Sequence, residues 1–261
     1  MALRSIWKGV IRFGGVSVPV KLFSAVEDRK VHFRLLHASD LTPVEQRMVD
    51  PRTGKTIPKE QIRRGLEVET GDIVVISPEE LEALVPVPSR DIEITRFIEH
   101  GRVNYQWYDR PYFLGPDGKG EQYQALAEVL AKEQRQGIAR WTMRKKRYVG
   151  SLHEEDGLLK LITLRFADEV IDARAIPRPE GRRFEPLELR MAEQLVNALA
   201  GDFEPTEYRD EYRHRVMELV NTKALGNVYR FEKPKQRRSK IASLADTLEQ
   251  SLNQIRKQHS G

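Results

Sequence analysis

The chain has 261 residues, of which 39% are hydrophobic and 32% are charged, and it contains no cysteine. This length suits one sizeable core with an appended helical region, and the lack of cysteine excludes disulfides and thiolate metal sites. No stretch approaches the roughly 20 apolar residues of a membrane helix, and the N-terminus lacks the apolar run of a signal peptide. We therefore expect a cytoplasmic protein that does not act at a membrane.

The net charge of +5 is unevenly distributed. Residues 1–65 hold thirteen basic and six acidic side chains, and residues 135–166 hold eight and three. Residues 233–261 add seven and two, whereas residues 66–134 hold six and fourteen. Two basic bands and a basic tail indicate a positive surface on one side of the molecule, as a polyanionic partner requires.

The first predicted element is a β-hairpin. Apolar and polar residues alternate over residues 7–13 and again over 16–22, and Gly14-Gly15 separates the two runs. Period-2 alternation around two glycines is typical of a hairpin with a tight turn. Pro19 has no N–H to donate, so its strand should lie at an edge or a bulge there. Val31–His37 is a further strand candidate.

Residues 40–66 differ from their surroundings, because Lys, Arg, Pro and Gly are frequent and large apolar residues are scarce. Asp50–Gly54 has the composition of a turn. Since this stretch cannot fill a core, we predict a polar hairpin arm that projects from the core over residues 40–66. A strand should follow over Val68–Ile76.

Short strands dominate the middle of the chain. Ser77 should cap a short helix, with Pro78 at its first position and Glu80 closing a capping box. A second helix is predicted over residues 121–134, ending near Gly137. The predicted strands cover residues 91–98, 103–108, 112–114, 138–152 and 158–166, the last two flanking a turn at 153–157. Many short strands with few interleaved helices favour a barrel or a sandwich over a parallel sheet.

The apolar pattern becomes helical from about residue 185. One helix, stopped by Gly201, has a stripe made of Leu187, Met191, Leu195 and Leu199. Pro205 should open a second helix, whose stripe is Tyr208, Tyr212, Val216 and Leu219.

The last segment begins with a basic cluster and then resumes a helical pattern with a short heptad-like seam, which suits a partner helix. The seam runs through Ile241, Ala245, Leu248, Leu252 and Ile255, and the residues predicted to bind a partner are Ile241, Leu244, Leu248, Leu252 and Ile255. A helix packed on the protein's own core explains the same pattern equally well.

Searches for catalytic motifs fail. The chain has no phosphate-binding loop of the G-x-x-x-x-G-K-[ST] type, no G-x-S-x-G elbow and no H-E-x-x-H pair. His32 and His37 lie five apart on a predicted strand and face opposite sides, so they cannot chelate a metal together. We therefore predict no enzymatic activity, no cofactor and no metal.

Binding signals are stronger. Four consecutive basic residues, Arg144–Arg147, follow the end of a predicted strand. They cannot all form ion pairs within the protein, so they are suited to contact with phosphates. The polar arm adds further basic residues. No predicted helix has an exposed face suited to reading nucleobases, so we expect contact with the DNA backbone and no recognition of base sequence. The predicted DNA-binding residues are Lys21, Arg34, Arg47, Arg52, Lys55, Lys59, Arg63, Arg64, Arg144, Lys145, Lys146, Arg147, Lys235, Arg237, Arg238 and Lys240.

Five segments, in the same order, resemble bacterial Ku proteins, and the likeness spans residues 3–225. They are Arg4–Gly9 leading into Phe13–Leu22, Asp109–Leu114, Ile138–Trp141 with its basic continuation, Leu164–Glu169, and Gly201–Phe203 with Tyr208–Tyr212.

The resemblance implies a mixed, mainly β fold: a Ku-type β-barrel core with an extended β bridge that encircles DNA, followed by a C-terminal helical region. It places the barrel in residues 1–180 with the bridge at about 22–72. Helices that contribute to dimerisation would occupy 181–230, and a basic tail with an amphipathic helix would occupy 231–261. It further implies a nucleoid-associated homodimer that loads on double-strand breaks in non-homologous end joining and recruits an ATP-dependent DNA ligase.

Two departures from that family are visible. Many relatives carry a Cys-x-x-Cys pair in the arm, where this chain has Asp50 and Thr53, so we predict no zinc there. Many also end in a long lysine-rich tail, which is short here. Two other classes stay open: a nuclease or other nucleic-acid enzyme with an unrecognised site, and an RNA-binding or adaptor protein.

Overall fold

The computed structural model describes residues 3–178, 181, 184–226 and 248–254. The chain divides into two compact units. One contains the residues up to Arg29 together with Phe33–Ala175, and the other contains Lys30–His32 together with the residues from Ile176 onward.

Seven strands of the first unit close into a barrel in the order β1-β2-β6-β9-β8-β7-β5. Strands β1 and β5 pair in parallel, and every other neighbouring pair in the barrel is antiparallel. The barrel strands are β1 (Trp7–Phe13), β2 (Val16–Ser24), β5 (Asp91–Glu99), β6 (Tyr108–Pro116), β7 (Arg135–Met143), β8 (Lys146–Glu155) and β9 (Leu158–Leu164). This confirms the predicted β-barrel fold.

Apolar side chains from all seven strands point inward and form the barrel core. The core residues that are fully buried include Ile11, Val20, Leu22, Ile92, Leu114, Ala139, Leu152, Leu159 and Leu161. Helix α2 (Glu121–Lys132) adds buried side chains to this core. The Tyr123 hydroxyl on α2 donates to the Leu114 carbonyl oxygen (2.6 Å) and accepts from the Leu159 amide (2.8 Å), which ties the helix to β6 and β9.

The N-terminal hairpin is confirmed. β1 and β2 pair in register from Trp7–Leu22 to Phe13–Val16. Gly14 and Gly15 form the turn at φ +48° and +85°, the positive values that a tight hairpin turn requires. The pairing of β2 with β6 starts at Val20, so Pro19 lies at the end of that ladder, where its missing N–H costs no strand hydrogen bond.

Two strand predictions between β2 and β5 are wrong. Val31–His37 contains only an isolated bridge, Leu36 to Pro43, because no strand lies beside it to pair with. Val68–Ile76 is not one strand: β3 (Arg64–Glu67) and β4 (Ile73–Ile76) form a separate two-stranded sheet, and the residues between them make the turn. The Asp72 carbonyl accepts from the Val68 amide (3.0 Å) and closes this turn.

Two further boundaries in the barrel differ from the prediction. Residues 103–108 are not a strand, since Tyr105–Trp107 is a 3-10 turn that leads into a continuous β6. The predicted strand 138–152 is in fact two strands, β7 and β8, joined by a turn at Arg144-Lys145. Neither turn residue is a glycine, so residue types do not predict a turn there. β8 also continues to Glu155, past the predicted turn start.

The short helices of the first unit agree with their sequence signals. α1 (Pro78–Ala83) begins with the predicted capping box, in which the Ser77 hydroxyl accepts from the Glu80 amide and the Glu80 carboxylate accepts from the Ser77 amide. Other 3-10 turns cover Lys59–Gln61, Ala167–Glu169 and Ala173–Ala175.

The second unit contains α3 (Pro186–Ala198) and α4 (Glu211–Ala224), and both expose much of their apolar surface. The start of the second predicted helix is wrong. Pro205 begins only a 3-10 turn, and α4 starts after Asp210, whose side chain accepts from the Arg213 amide and caps the helix. Tyr208 therefore lies outside α4.

Residues 248–254 are helical, with Leu248 buried and Leu252 half-buried. The other predicted partner-binding residues, Ile241, Leu244 and Ile255, lie outside the described residues. No helix in the described ranges has both the length and the apolar character needed to cross a membrane.

Candidate nucleic-acid interface

The basic cluster Arg144–Arg147 forms the tip of the β7–β8 hairpin. Met143 pairs with Lys146, so Arg144 and Lys145 are the two central turn residues, at φ +51° and +67°. This turn form favours Asn-Gly, and a left-handed residue with a Cβ costs on the order of 1–2 kcal/mol. The turn therefore holds two long cations in a conformation that their residue types disfavour.

The four basic residues of the cluster have different surroundings. Lys145 Nζ contacts both carboxylate oxygens of Glu82 on α1, at 2.6 and 2.8 Å. Lys146 Nζ lies 5.7 Å from the centre of the Tyr148 ring, which stacks on Trp141 at 5.4 Å. Arg144 and Arg147 are exposed and have no ion-pair partner within the residues that the structure describes.

Arg147 lies in a cleft of about 1030 Å³ on the barrel surface, together with two arginines that the sequence did not single out. Arg12 and Arg140 belong to one row of neighbouring residues across β1, β5 and β7, with Glu93 between them. Arg12 also pairs with Asp91 (2.6 Å), whereas Arg140 has no such partner in the described ranges. Period-2 alternation was the available signal, because each arginine follows an inward-facing apolar residue.

Arg144 and Lys145 line a second, smaller cavity of about 310 Å³ beside Trp7, Pro86 and Arg90. The basic cluster therefore faces two places, with Arg147 at the large cleft and the two turn residues at the small one. Glu82 lies beside Lys145 and not beside Arg147.

The arm residues are exposed, and three of them have local partners. Arg47 contacts Glu45 at 3.3 Å, Arg52 lies 3.9 Å from Asp50, and Arg63 donates to the Glu60 carbonyl at 2.6 Å. In the described part, the arm residues without an ion-pair partner are Lys55, Lys59, Arg63 and Arg64, and Arg34, which precedes the arm, also has none. No hydrogen bond or ion pair between described residues joins these side chains to the β7–β8 turn.

The predicted turn in the arm is confirmed. The Gly54 amide donates to the Asp50 carbonyl at 2.8 Å, and the Thr53 hydroxyl donates to the Asp50 carboxylate at 3.0 Å. Gly54 has a φ of +68°. Asp50 and Thr53 thus stabilise each other across the turn.

Lys21 lies in the barrel wall, away from both basic groups. Its ammonium group contacts Asp117 at 3.0 Å, and Lys8 contacts the same carboxylate at 3.1 Å. Hydrogen bonds from Lys21 and then Lys8 hold the pKa of Asp117 below its ordinary value. A phosphate at Lys21 would have to compete with this carboxylate. Of the other predicted DNA contacts, Lys235, Arg237, Arg238 and Lys240 lie outside the described residues.

Across the described ranges, no group of three or more histidine, aspartate or glutamate side chains is arranged to hold a metal ion. Two histidines do meet: the rings of His100 and His153 are 5.5 Å apart. Burial, and then the neighbouring His100, lower the pKa of His153, and its Nδ1 has no hydrogen-bond partner. The lowered pKa favours the neutral imidazole of His153.

A family model described as the Ku70/Ku80 beta-barrel domain matches residues 12–191. The chain is 34% identical to "Non-homologous end joining protein Ku 2" of Geotalea uraniireducens (strain Rf4), over 98% of this chain and 100% of that protein. It is 38% identical to "Non-homologous end joining protein Ku 1" of the same strain, over 85% of each chain. The Coxiella burnetii (strain RSA 331 / Henzerling II) protein "Non-homologous end joining protein Ku" is 36% identical over 85% of this chain and 83% of its own.

Proposed function

Since this chain belongs to the Ku family, we propose that it binds the ends of double-stranded DNA without regard to base sequence. It acts as a ring-shaped homodimer in double-strand break repair by non-homologous end joining. The observation that carries this proposal is the similarity, over almost the whole chain, to relatives named for that process. The chain itself acts by binding and not by catalysis.

We assign the phosphate contacts to exposed lysine and arginine side chains of the first unit. One set of contacts comes from Arg144–Arg147 at the β7–β8 tip. Another comes from the basic residues between Arg34 and Arg64. Contacts of this kind are equivalent at every register of the duplex, because they neutralise phosphates without reading base edges. A ring with such a lining can slide along DNA and selects ends by topology, since a closed ring threads only onto a free end.

The regions divide the work in this proposal. Residues 1–180 form the barrel, and its bridge at about 22–72 closes over the DNA. Residues 181–230 contribute to dimerisation, which the exposed apolar side chains of α3 and α4 support. Large apolar surfaces that a protomer leaves open are typical of interfaces between subunits.

The tail, residues 231–261, combines two roles. Lys235, Arg237, Arg238 and Lys240 add phosphate contacts, and the heptad-like seam from Ile241 to Ile255 binds a partner. We assign that partner to the ATP-dependent DNA ligase of the pathway. Deletion of residues 241–261 should abolish ligase stimulation in an end-joining assay and leave duplex binding intact; loss of both activities together would contradict this division.

The central test is a competition assay with a labelled linear duplex. Unlabelled DNA of the same sequence is added either as a linear duplex or as a covalently closed circle. We expect only linear DNA to compete, because a closed ring cannot thread onto a circle. Equal competition by the circle would overturn end binding and favour side-on binding to duplex DNA through the same basic arm.

Two further assays with the same protein distinguish the remaining classes of function, a nucleic-acid enzyme and an RNA-binding or adaptor protein. Incubation of labelled ends with Mg²⁺ or Mn²⁺ should leave the DNA uncut, and metal-dependent cleavage would show a nucleic-acid-processing enzyme. Single-stranded DNA and RNA of equal length should compete poorly. A preference for either would favour an RNA-binding or adaptor role.

A further inference from the structure

Glu82 contacts a lysine of the basic cluster at the β7–β8 tip. Both of its carboxylate oxygens contact Lys145 Nζ, at 2.6 and 2.8 Å, although the two residues are 63 positions apart in the chain. The two side chains are 64% and 63% exposed, so the pair forms in water on the protein surface. A carboxylate that holds an ammonium group in this way occupies the same donor that a DNA phosphate needs.

The surroundings direct this competition to one side of the basic cluster. Lys145 is a central residue of the strained turn, at a φ of +67°. Glu82 itself lies on α1, whose start is fixed by the Ser77–Glu80 capping box. Arg147 faces the large cleft and has no carboxylate partner within the described part of the chain. Within the basic cluster Lys145 is therefore already paired, whereas Arg144 and Arg147 have no ion-pair partner among the described residues.

We propose that Glu82 competes with DNA phosphates for Lys145 and thereby lowers duplex affinity. This inference rests on the proposed DNA-binding function. An exposed ion pair contributes little stability, so a phosphate displaces the carboxylate readily, but each binding event must break the pair. Weaker binding at this point favours movement along the duplex, since a ring needs contacts that exchange quickly.

The test compares four variants by salt titration of binding to a linear duplex. Glu82→Gln removes the competing charge with almost no change of shape, and we expect it to tighten binding about two- to fivefold at low salt. Glu79→Gln is the matched control, because it removes the same charge from the same helix without touching Lys145. It should change affinity much less than Glu82→Gln.

The double variant separates local competition from general repulsion. Lys145→Met should weaken binding and reduce the slope of log affinity against log salt by about 0.9, the loss of one phosphate contact. In that background Glu82→Gln should have almost no effect. If Glu82→Gln tightens binding equally with and without Lys145, or no more than Glu79→Gln does, the competition proposal is overturned.

The failures of the two proposals are distinguishable. A wild-type chain that does not bind duplex DNA at all would overturn the function and this inference together. A wild-type chain that binds ends, with an unchanged Glu82→Gln variant, would overturn only the inference. All four variants should melt close to the wild-type temperature, because both side chains are exposed.

Discussion

The barrel and the β2–β5 connection (residues 25–90) differ in how their residues are used. Every barrel strand contributes buried apolar side chains. No residue of the connection is buried, and several of its large apolar side chains, including Ile73, are more than 60% exposed. An isolated two-stranded sheet such as β3–β4 is only marginally stable in water. The barrel thus has a core of its own, whereas the connection has no buried core.

Two substitutions by alanine, one in the barrel and one in the connection, test this difference most directly. Leu161 has no exposed surface, so Leu161→Ala should lower the free energy of unfolding by about 2–5 kcal/mol through lost burial and a cavity. Ile73→Ala in the connection should change it by less than about 0.5 kcal/mol. Urea unfolding followed by tryptophan fluorescence measures both. A comparable loss in the two variants would show that the connection packs as the barrel does.

The second prediction concerns Tyr123, the polar link between α2 and the barrel. Tyr123→Phe keeps the ring but leaves the Leu114 carbonyl and the Leu159 amide without this partner, which should cost about 1–3 kcal/mol. Tyr105→Phe is the matched control, because Tyr105 is 94% exposed. Thermal melts of both variants test the link, and a control that destabilises as much as Tyr123→Phe would refute it.

The third prediction separates binding from stability at the β7–β8 tip. Arg144→Ala with Arg147→Ala should leave the melting temperature nearly unchanged and reduce the salt slope of duplex binding by about 1.8, or 0.9 per phosphate contact. Arg102→Ala, an exposed arginine that pairs locally with Glu99, serves as the control. An unchanged slope in the double variant would remove the tip from the DNA surface.

The smallest expected effect is a pH dependence from His153. Its folded-state pKa is lowered, mainly by burial, so the folded protein resists a proton that the unfolded chain accepts. This contribution is fully present above the unfolded pKa of about 6.5 and is lost as pH falls toward the folded pKa. Melting temperature should therefore fall between pH 7.5 and 5.5 by less in His153→Gln than in the wild type. His32→Gln, at an exposed site, should follow the wild-type curve.

The sequence predicted those elements whose signals are local. The Gly14-Gly15 hairpin and the Ser77–Glu80 capping box each depend on residue types within a few positions, and both are confirmed. The β7–β8 turn escaped prediction because Arg144 and Lys145 carry no turn propensity, and cross-strand pairing imposes their conformation. Val31–His37 failed for the opposite reason, since its pattern suits a strand but no neighbouring strand is available.

The candidate site shows the same limit. The sequence shows a run of four basic residues, but the partner of Lys145, Glu82, lies 63 positions away in the chain. Arg12 and Arg140 joined the site only through the register of β1, β5 and β7. Pairings of this kind depend on how the barrel closes, which no local pattern records.

That closure also has a consequence for how the chain folds. The parallel contact of β1 with β5 joins Ile11 to Ile92, so the barrel cannot shut until the whole intervening segment has been looped out. Long-range pairing of this type slows folding, because the loop entropy is lost before the contact forms. Halving the β2–β5 connection should recover about 0.6 kcal/mol of that entropy and speed refolding roughly threefold in stopped-flow measurements. The length of the β2–β5 connection is thus set against the speed at which the barrel assembles.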